Sequence, residues 1–186
     1  MNVVSAPLSG LYILEPRVFT DERGFFMEVY RQDTFKSLGL EVGQFVQSNH
    51  SKSHAGVVRG LHFQWDPPLT KLIRVINGTA YMVAVDIRYN SPTRGQWFGV
   101  EVSAENKKEL LAPFGFATGF CVVGDVAEVE YQYTAHYNPK GESVILWNDP
   151  GLDIEWPVVG QARTSDRDSR GTTLEEWLLD PRAKLI

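Results

Sequence analysis

Lys71 to Arg88 reads KLIRVINGTAYMVAVDIR, two apolar runs separated by Asn77-Gly78. In the second run Tyr81, Val83, Val85 and Ile87 alternate with Met82, Ala84, Asp86 and Arg88. A repeat of two is the mark of a strand, because successive side chains leave opposite faces of the sheet. The Met82 set carries the polar members and is the one expected to meet a polar lumen or solvent. Asn-Gly is the pair that a tight primed turn favours, since both central residues tolerate positive φ. The stretch therefore predicts a β-hairpin turning at Asn77-Gly78.

The same signature recurs on both sides. GLYILEPRVFT, GFFMEVY, QFVQSNHS, GVVRGLHFQW, QWFGVEVS, KELLAPFGFATGFCVV and AEVEYQYTAHY are short and rich in Val, Ile, Phe, Tyr and Trp, which favours strands over helices. Gly124-Asp125 is a second hairpin candidate. RQDTFKSLGL predicts a short helix, with Gln32, Asp33 or Thr34 near its start and Gly39 near its end; TTLEEWLLD predicts a C-terminal one near 172–180, capped by Thr172 or Thr173. Many strands, few short helices and no internal repeat imply an all-β sandwich or small barrel. DPGLDIEWPVVGQARTSDRDSRG is polar and turn-rich, either a disordered linker or a solvated loop, although Trp147 just before it and Trp156 within it have large apolar surfaces worth burying.

A chain of 186 residues with 43% hydrophobic residues suits one domain with a single sizeable core, spanning 1–186. A net charge of -5 argues against a nucleic-acid partner, which needs clustered Lys and Arg to displace counterions from phosphates. A small anionic ligand stays compatible, because a few arginines can bind it without changing the overall sign. The single cysteine, Cys121, lies among Phe120, Val122 and Val123 and reads as a buried structural thiol, which suits a reducing cytoplasm. The opening MNVVSAPLSG lacks the basic and apolar segments of a leader, and no run approaches the roughly 18 apolar residues of a membrane helix. A cytoplasmic protein without membrane contact is expected.

VVRGLHFQW puts Arg59, His62 and Gln64 on one strand. His62 and Gln64, two apart, share a face, while Gly60 permits a bend that redirects Arg59. Lys71, opening an apolar strand, reads on its own as an edge or snorkelling residue, and Tyr131, on the same face as Tyr133, as core. The patterns of a nucleophile elbow or a phosphate loop are absent. Barrel-lining histidines commonly hold metals, but of His50, His54, His62 and His136 only His62 lies in a strongly strand-like segment, and the apolar turn APFGFATGF offers Thr118 where an imidazole would be needed.

From about Leu11 to Asp168 the sequence resembles the dTDP-4-dehydrorhamnose 3,5-epimerase family of the cupin superfamily. The matching motifs are DERGFFMEVY, FVQSNHSKS, GVVRGLHFQ, KLIRVINGTAYMVAVDIRYNSPT, VEVSAENKKELLAPFGFATGF, AEVEYQYTAHYNP and ILWNDPGLDIEWP. The resemblance implies a jelly-roll barrel and a homodimer whose N-terminal strands join the partner's sheet. It also implies a nucleotide-linked 4-keto-6-deoxyhexose substrate, dTDP-linked in the family, and catalysis with neither metal nor other cofactor. The family reaction removes a proton next to a ketone and returns one from the opposite face, at C3 and C5. His62 then matches the general base, Asp168 the carboxylate behind it, Lys71 the cation at the enolate oxygen and Tyr131 the acid. Arg23, Glu28, Gln47, Asn49, Arg59 and Arg167 match positions that hold the nucleotide and pyrophosphate, with Arg23 serving the neighbouring subunit.

Three positions depart from the family pattern: Thr118 stands where members have histidine, Met82 where they have aspartate, and His136 where an aromatic residue commonly stacks on thymine. Thr118 is expected to give a short neutral hydrogen bond near the sugar, and Lys71, deprived of a carboxylate, to rely on the enolate for counter-charge. The alternatives are a single-carbon epimerase at C3 or C5 on a different nucleotide sugar or heptose, and a non-catalytic sugar-nucleotide-binding protein. A metal-dependent cupin oxygenase is disfavoured by its missing ligands.

Overall fold

The computed structural model describes residues 1–40 and 42–186. Its strands are β1 (Asn2–Leu8), β2 (Leu11–Glu15), β3 (Val18–Asp21), β4 (Gly24–Met27), β5 (Gln47–His54), β6 (Val58–Gln64), β7 (Lys71–Asp86), β8 (Trp97–Ser103), β9 (Glu109–Ala112), β10 (Phe116–Tyr133) and β11 (Glu142–Val144), with helices α1 (Gln32–Ser37) and α2 (Leu174–Leu179). All the pairings between these strands are antiparallel. The long strands β7 and β10 pair along almost their whole length, and each half of each takes a different neighbour. The Lys71 half of β7 pairs with β9, then β2 and β1, while the Tyr133 half of β10 pairs with β5. The other half of β7 pairs with β8, and the Thr118 half of β10 with β6 and then β11. Two sheets thus share β7 and β10 and close on a common interior, a jelly-roll barrel of the cupin kind.

This connectivity overturns both expected hairpins. Asn77 and Gly78 lie inside β7, laddered to Glu128 and Ala127, and Gly124-Asp125 lies inside β10. The register slips between Val123 and Ala127, so β10 bulges where the two strands pass from one sheet to the other. Gly78 has φ +73, and a Cβ there would lie 1.9 Å from the carbonyl oxygen of Val126. The positive φ that Asn-Gly supports serves a bend in continuing strands instead of a reversal.

Across the irregular register the inward-facing positions change parity, from odd to even along β7 and from even to odd along β10. Ile73, Val75, Met82, Phe120 and Val129 pack in one interior cluster with Leu11 and Ile13. On the opposite face Val83, Val85 and Ile87 are covered by Leu152, Leu174 and Trp177 of the C-terminal segment, so both sets of the alternating stretch are buried. Phe63 meets Trp177 edge-on at 4.7 Å between centroids, and burying a side chain of this size contributes roughly 1.5–3 kcal/mol.

The helices follow their end signals. Arg31 precedes α1, Gly39 with φ +73 follows it, and buried Phe35 docks the helix on Leu14, Leu72 and Leu111. Of the two candidate caps of α2, Thr173 acts: its hydroxyl accepts from the Glu176 amide while the Glu176 carboxylate accepts from the Thr173 amide. The segment 148–171 is not a disordered linker. Trp156 donates to the Trp147 carbonyl at 2.7 Å, and Arg163 bridges to Val57. Strands β3 and β4 form a separate hairpin that leaves Phe25 and Phe26 56% and 70% exposed. Cys121 is buried, as expected, and burial pushes its thiol up to about 11. No helix among the described residues is long and apolar enough to cross a membrane.

Candidate active site

The interior opens as a cavity of about 190 Å3 lined by Arg59, His62, Lys71, Met82, Thr118 and Tyr131, among others. A second cavity of about 340 Å3 adds Gln47, Tyr137, Glu142 and Arg167. Asn49, His62, Lys71 and Tyr133 line both, so the two form one cleft.

A bulge in β6 sets the geometry. Thr118 pairs with His62 and Phe120 with Arg59, so two steps along β10 match three along β6. Arg59 and His62, three apart, would leave opposite faces of a regular strand; the extra residue turns both into the cleft. Gly60 has φ +120, and a Cβ there would lie 2.6 Å from the Cα of Gly119. The Gly60 amide donates to Asp168 Oδ2 at 3.1 Å.

Asp168 begins a short 3-10 turn brought beside β6 where the Val58 amide donates to the Arg163 carbonyl. Its Oδ1 lies 2.7 Å from His62 Nε2, and the carboxylate is 3% exposed. Burial opposes its charge, but hydrogen bonds from His62 and the Gly60 amide hold it below the usual carboxylate range. With Nε2 committed to a carboxylate, Nδ1 is the nitrogen left to take a proton.

Lys71 is 6% exposed and donates to the His62 carbonyl at 2.9 Å and to Thr118 Oγ1 at 2.8 Å. Burial pulls its amine down to about 8, opposed by the Glu142 carboxylate. Thr118, expected beside the sugar, has Lys71 as its hydrogen-bond partner, and Met82 adds apolar wall. Tyr131 and Tyr133 project into the cleft from the opposite sheet to His62; burial raises the Tyr131 phenol well above its ordinary value. Tyr131 Oη is 3.4 Å from Ser51 Oγ.

At the mouth Arg167 pairs with Glu142 at 2.7 Å and reaches Tyr137 Oη at 3.4 Å. Arg59 donates to Ser53 Oγ at 2.9 Å. Gln64 shares the strand face of His62, but its amide is used on the backbone of Pro67, His136 and Asn138, a structural role. Arg23, Glu28 and His136 line neither cavity of their own chain. Arg23 pairs with Asp21 on the exposed hairpin, Glu28 with Arg31, and the exposed His136 leaves the mouth to its neighbour Tyr137. Glu142 and Tyr137 were not anticipated; a three-residue strand and a loop carry no periodic signal. No group of three or more His, Cys, Asp or Glu side chains converges among the described residues.

An acid-base pair, a buried cation and a phenol thus face one cleft, an arrangement suited to moving a proton next to a carbonyl. The family model for dTDP-4-dehydrorhamnose 3,5-epimerase matches residues 5–176. The dTDP-4-dehydrorhamnose 3,5-epimerase of Shigella flexneri is 50% identical over 173 residues, covering 92% of this chain and 94% of that protein. The one from Neisseria gonorrhoeae is 47% identical, and there the chain spans 52% of the relative's length. The crystal structure of dTDP-6-deoxy-D-glucose-3,5-epimerase from Legionella pneumophila Philadelphia 1, in complex with dTDP-4-keto-L-rhamnose, superposes with a TM-score of 0.92 at 41% identity, covering 98% of this chain and 96% of that one. Fold, cleft and near full-length similarity agree, and the chain belongs to the dTDP-4-dehydrorhamnose 3,5-epimerase family.

Proposed function

We propose that the chain is an isomerase that inverts C3 and C5 of a dTDP-linked 4-keto-6-deoxyhexose in deoxysugar biosynthesis. The observation that carries this is the His62–Asp168 pair on one sheet and Tyr131 on the other, with the Lys71 ammonium in the wall of the same cleft. His62 Nδ1 takes the proton from the carbon beside the ketone. The C–H electron pair moves into the ring, the carbonyl becomes an enolate, and the imidazolium is balanced by Asp168. The Lys71 ammonium stabilises the oxyanion, as a fixed cation in a low-dielectric site does. Tyr131, held protonated by burial, gives its proton to the opposite face of the carbon and recovers one from solvent, while His62 releases to solvent the proton it took. C3 and C5 both flank the same carbonyl, so one constellation serves two inversions.

Gln47, Asn49, Arg59 and Arg167 around the mouth suit the nucleotide and pyrophosphate, whose oxygens an arginine fork grips in pairs. The exposed hairpin of β3 and β4 supports a homodimer in which Arg23 completes the neighbour's site. Residues 1–186 then act as one cytoplasmic cupin-like domain.

Incubation with dTDP-4-keto-6-deoxyglucose in D2O, read by NMR, tests the reading. Deuterium at C3 and C5 with inversion is the expected result. Label at one carbon only establishes a single-carbon epimerase, and no label leaves a sugar-nucleotide-binding protein.

A further inference from the structure

An ammonium group carries three N–H donors. On Lys71 two are taken by neutral oxygens, the His62 carbonyl and the Thr118 hydroxyl. The neighbouring carboxylates are engaged elsewhere, Asp168 with His62 and Glu142 with Arg167. Thr118 sits on β10 directly between His62 of β6 and Ala84 of β7. Its hydroxyl is the one side-chain group hydrogen-bonded to Nζ among the described residues. Met82, Ile73 and Phe120 make the surrounding wall apolar. A lysine stem has four rotatable bonds, so without a clamp the charge would sample several positions.

Resting on the epimerase reading above, we infer that Thr118 is a positioning residue whose hydroxyl, together with the His62 carbonyl, clamps the Lys71 ammonium with its remaining N–H toward the cleft. A neutral clamp differs in kind from an ionic one. A carboxylate beside Nζ would neutralise the charge that the enolate oxygen is to meet; a hydroxyl fixes the ammonium and leaves that charge uncompensated until the substrate ionises. The clamp therefore acts more strongly in the transition state than in the ground state, and its loss lowers kcat more than it raises KM.

The ionisable groups that share the cleft with Lys71 are His50 on β5, paired with Glu128, His62 and Arg59 on β6, Tyr131 and Tyr133 on β10, Glu142 on β11, and Arg167 with Tyr137 at the mouth. Because the hydroxyl accepts a bond only the charged amine can make well, its removal favours the neutral amine. Activity that needs the ammonium then fails at lower pH than in the parent.

Thr118→Val removes the acceptor at nearly constant volume, Thr118→Ala removes it without adding bulk, and Thr118→Ser keeps it. Deuterium exchange into dTDP-4-keto-6-deoxyglucose is followed across pH. In Val and Ala variants kcat is expected to fall about 10- to 100-fold with KM within about threefold, and the alkaline limb of kcat/KM to move to lower pH; Ser is expected to restore both. Parental kcat and limb in a folded Val or Ala variant overturn the inference, as does a Ser variant that behaves like Val. If the parent shows no exchange, the epimerase reading fails, and the clamp is then judged by whether dTDP-bound parent and variant differ in the pH at which Lys71 is acylated.

Discussion

Asp168→Asn changes one atom type at a buried carboxylate, and its consequence can be worked through from the two bonds it disturbs. Asp168 Oδ2 accepts from the Gly60 amide at 3.1 Å, and Oδ1 faces His62 Nε2 at 2.7 Å. Asparagine has one oxygen for these two places. If it turns toward Gly60, its NH2 faces Nε2, the imidazole proton shifts to Nδ1, and the nitrogen left for the substrate can no longer accept a proton. If it turns toward His62, two donors meet at Gly60 and a buried amide loses its partner, at a cost of about 1–3 kcal/mol. In either orientation the imidazolium formed during turnover has no counter-charge. Exchanging the carboxylate for an amide behind a catalytic histidine lowers kcat by about 10^4 where it forces the wrong tautomer, which is about 5.5 kcal/mol of barrier. A fall of about 10^3 to 10^4 in deuterium exchange at C3 and C5 is expected in single-turnover NMR, with dTDP affinity by calorimetry within about threefold. A folded variant retaining a tenth or more of the parental rate would refute the tautomer argument.

Three other predictions address separate parts of the molecule. Tyr131→Phe should lower formation of inverted product by about 10^2 or more, while washout of label on the His62 face persists; equal loss of both would remove Tyr131 from the role of acid. Glu109 is buried without a hydrogen-bond partner, and burial pushes its carboxyl from 4.5 up to about 8, against the nearby Arg74 guanidinium. A raised folded value means that this group's contribution to stability is full below 4.5 and is lost as pH rises through about 8, a swing of roughly 5 kcal/mol at most. Glu109→Gln should flatten that dependence in urea denaturation compared at pH 5 and pH 9, and parallel profiles for parent and variant would show that Glu109 is not the titrating group. Phe25 and Phe26 are exposed on the β3–β4 hairpin, and replacing both by serine is expected to convert the proposed homodimer to monomer in sedimentation with loss of activity; a parent that sediments as a monomer refutes the homodimer, and a dimer unchanged by the substitution places its interface elsewhere.

The strands were legible because alternation is written in side-chain order, as in Tyr81 to Arg88, and the helices because Thr173 with Glu176 and Gly39 mark their ends chemically. From their strands alone Lys71 reads as an edge or snorkelling residue and Tyr131 as core; family resemblance gives His62, Lys71, Tyr131 and Asp168 their places in the site. The errors have a common origin. Asn77-Gly78 supports positive φ whether the chain reverses or merely bends, and only pairing with β10 distinguishes the two. Tyr137 instead of His136 lines the mouth because the strand ends at Tyr133 and parity beyond it carries no direction.

The sequence by itself therefore determined most of the strands, though not β1 or β11, which residue types are available for acid-base chemistry and which family supplies the pattern. Tertiary structure decided which of those side chains meet. The extra residue in β6 turns Arg59 and His62 to one face, a segment remote in sequence delivers Asp168 to His62, and Thr118 bonds Lys71 across two strands. A side chain's face is fixed by register, and register is a property of paired strands distant along the chain, so one strand's residues cannot state it.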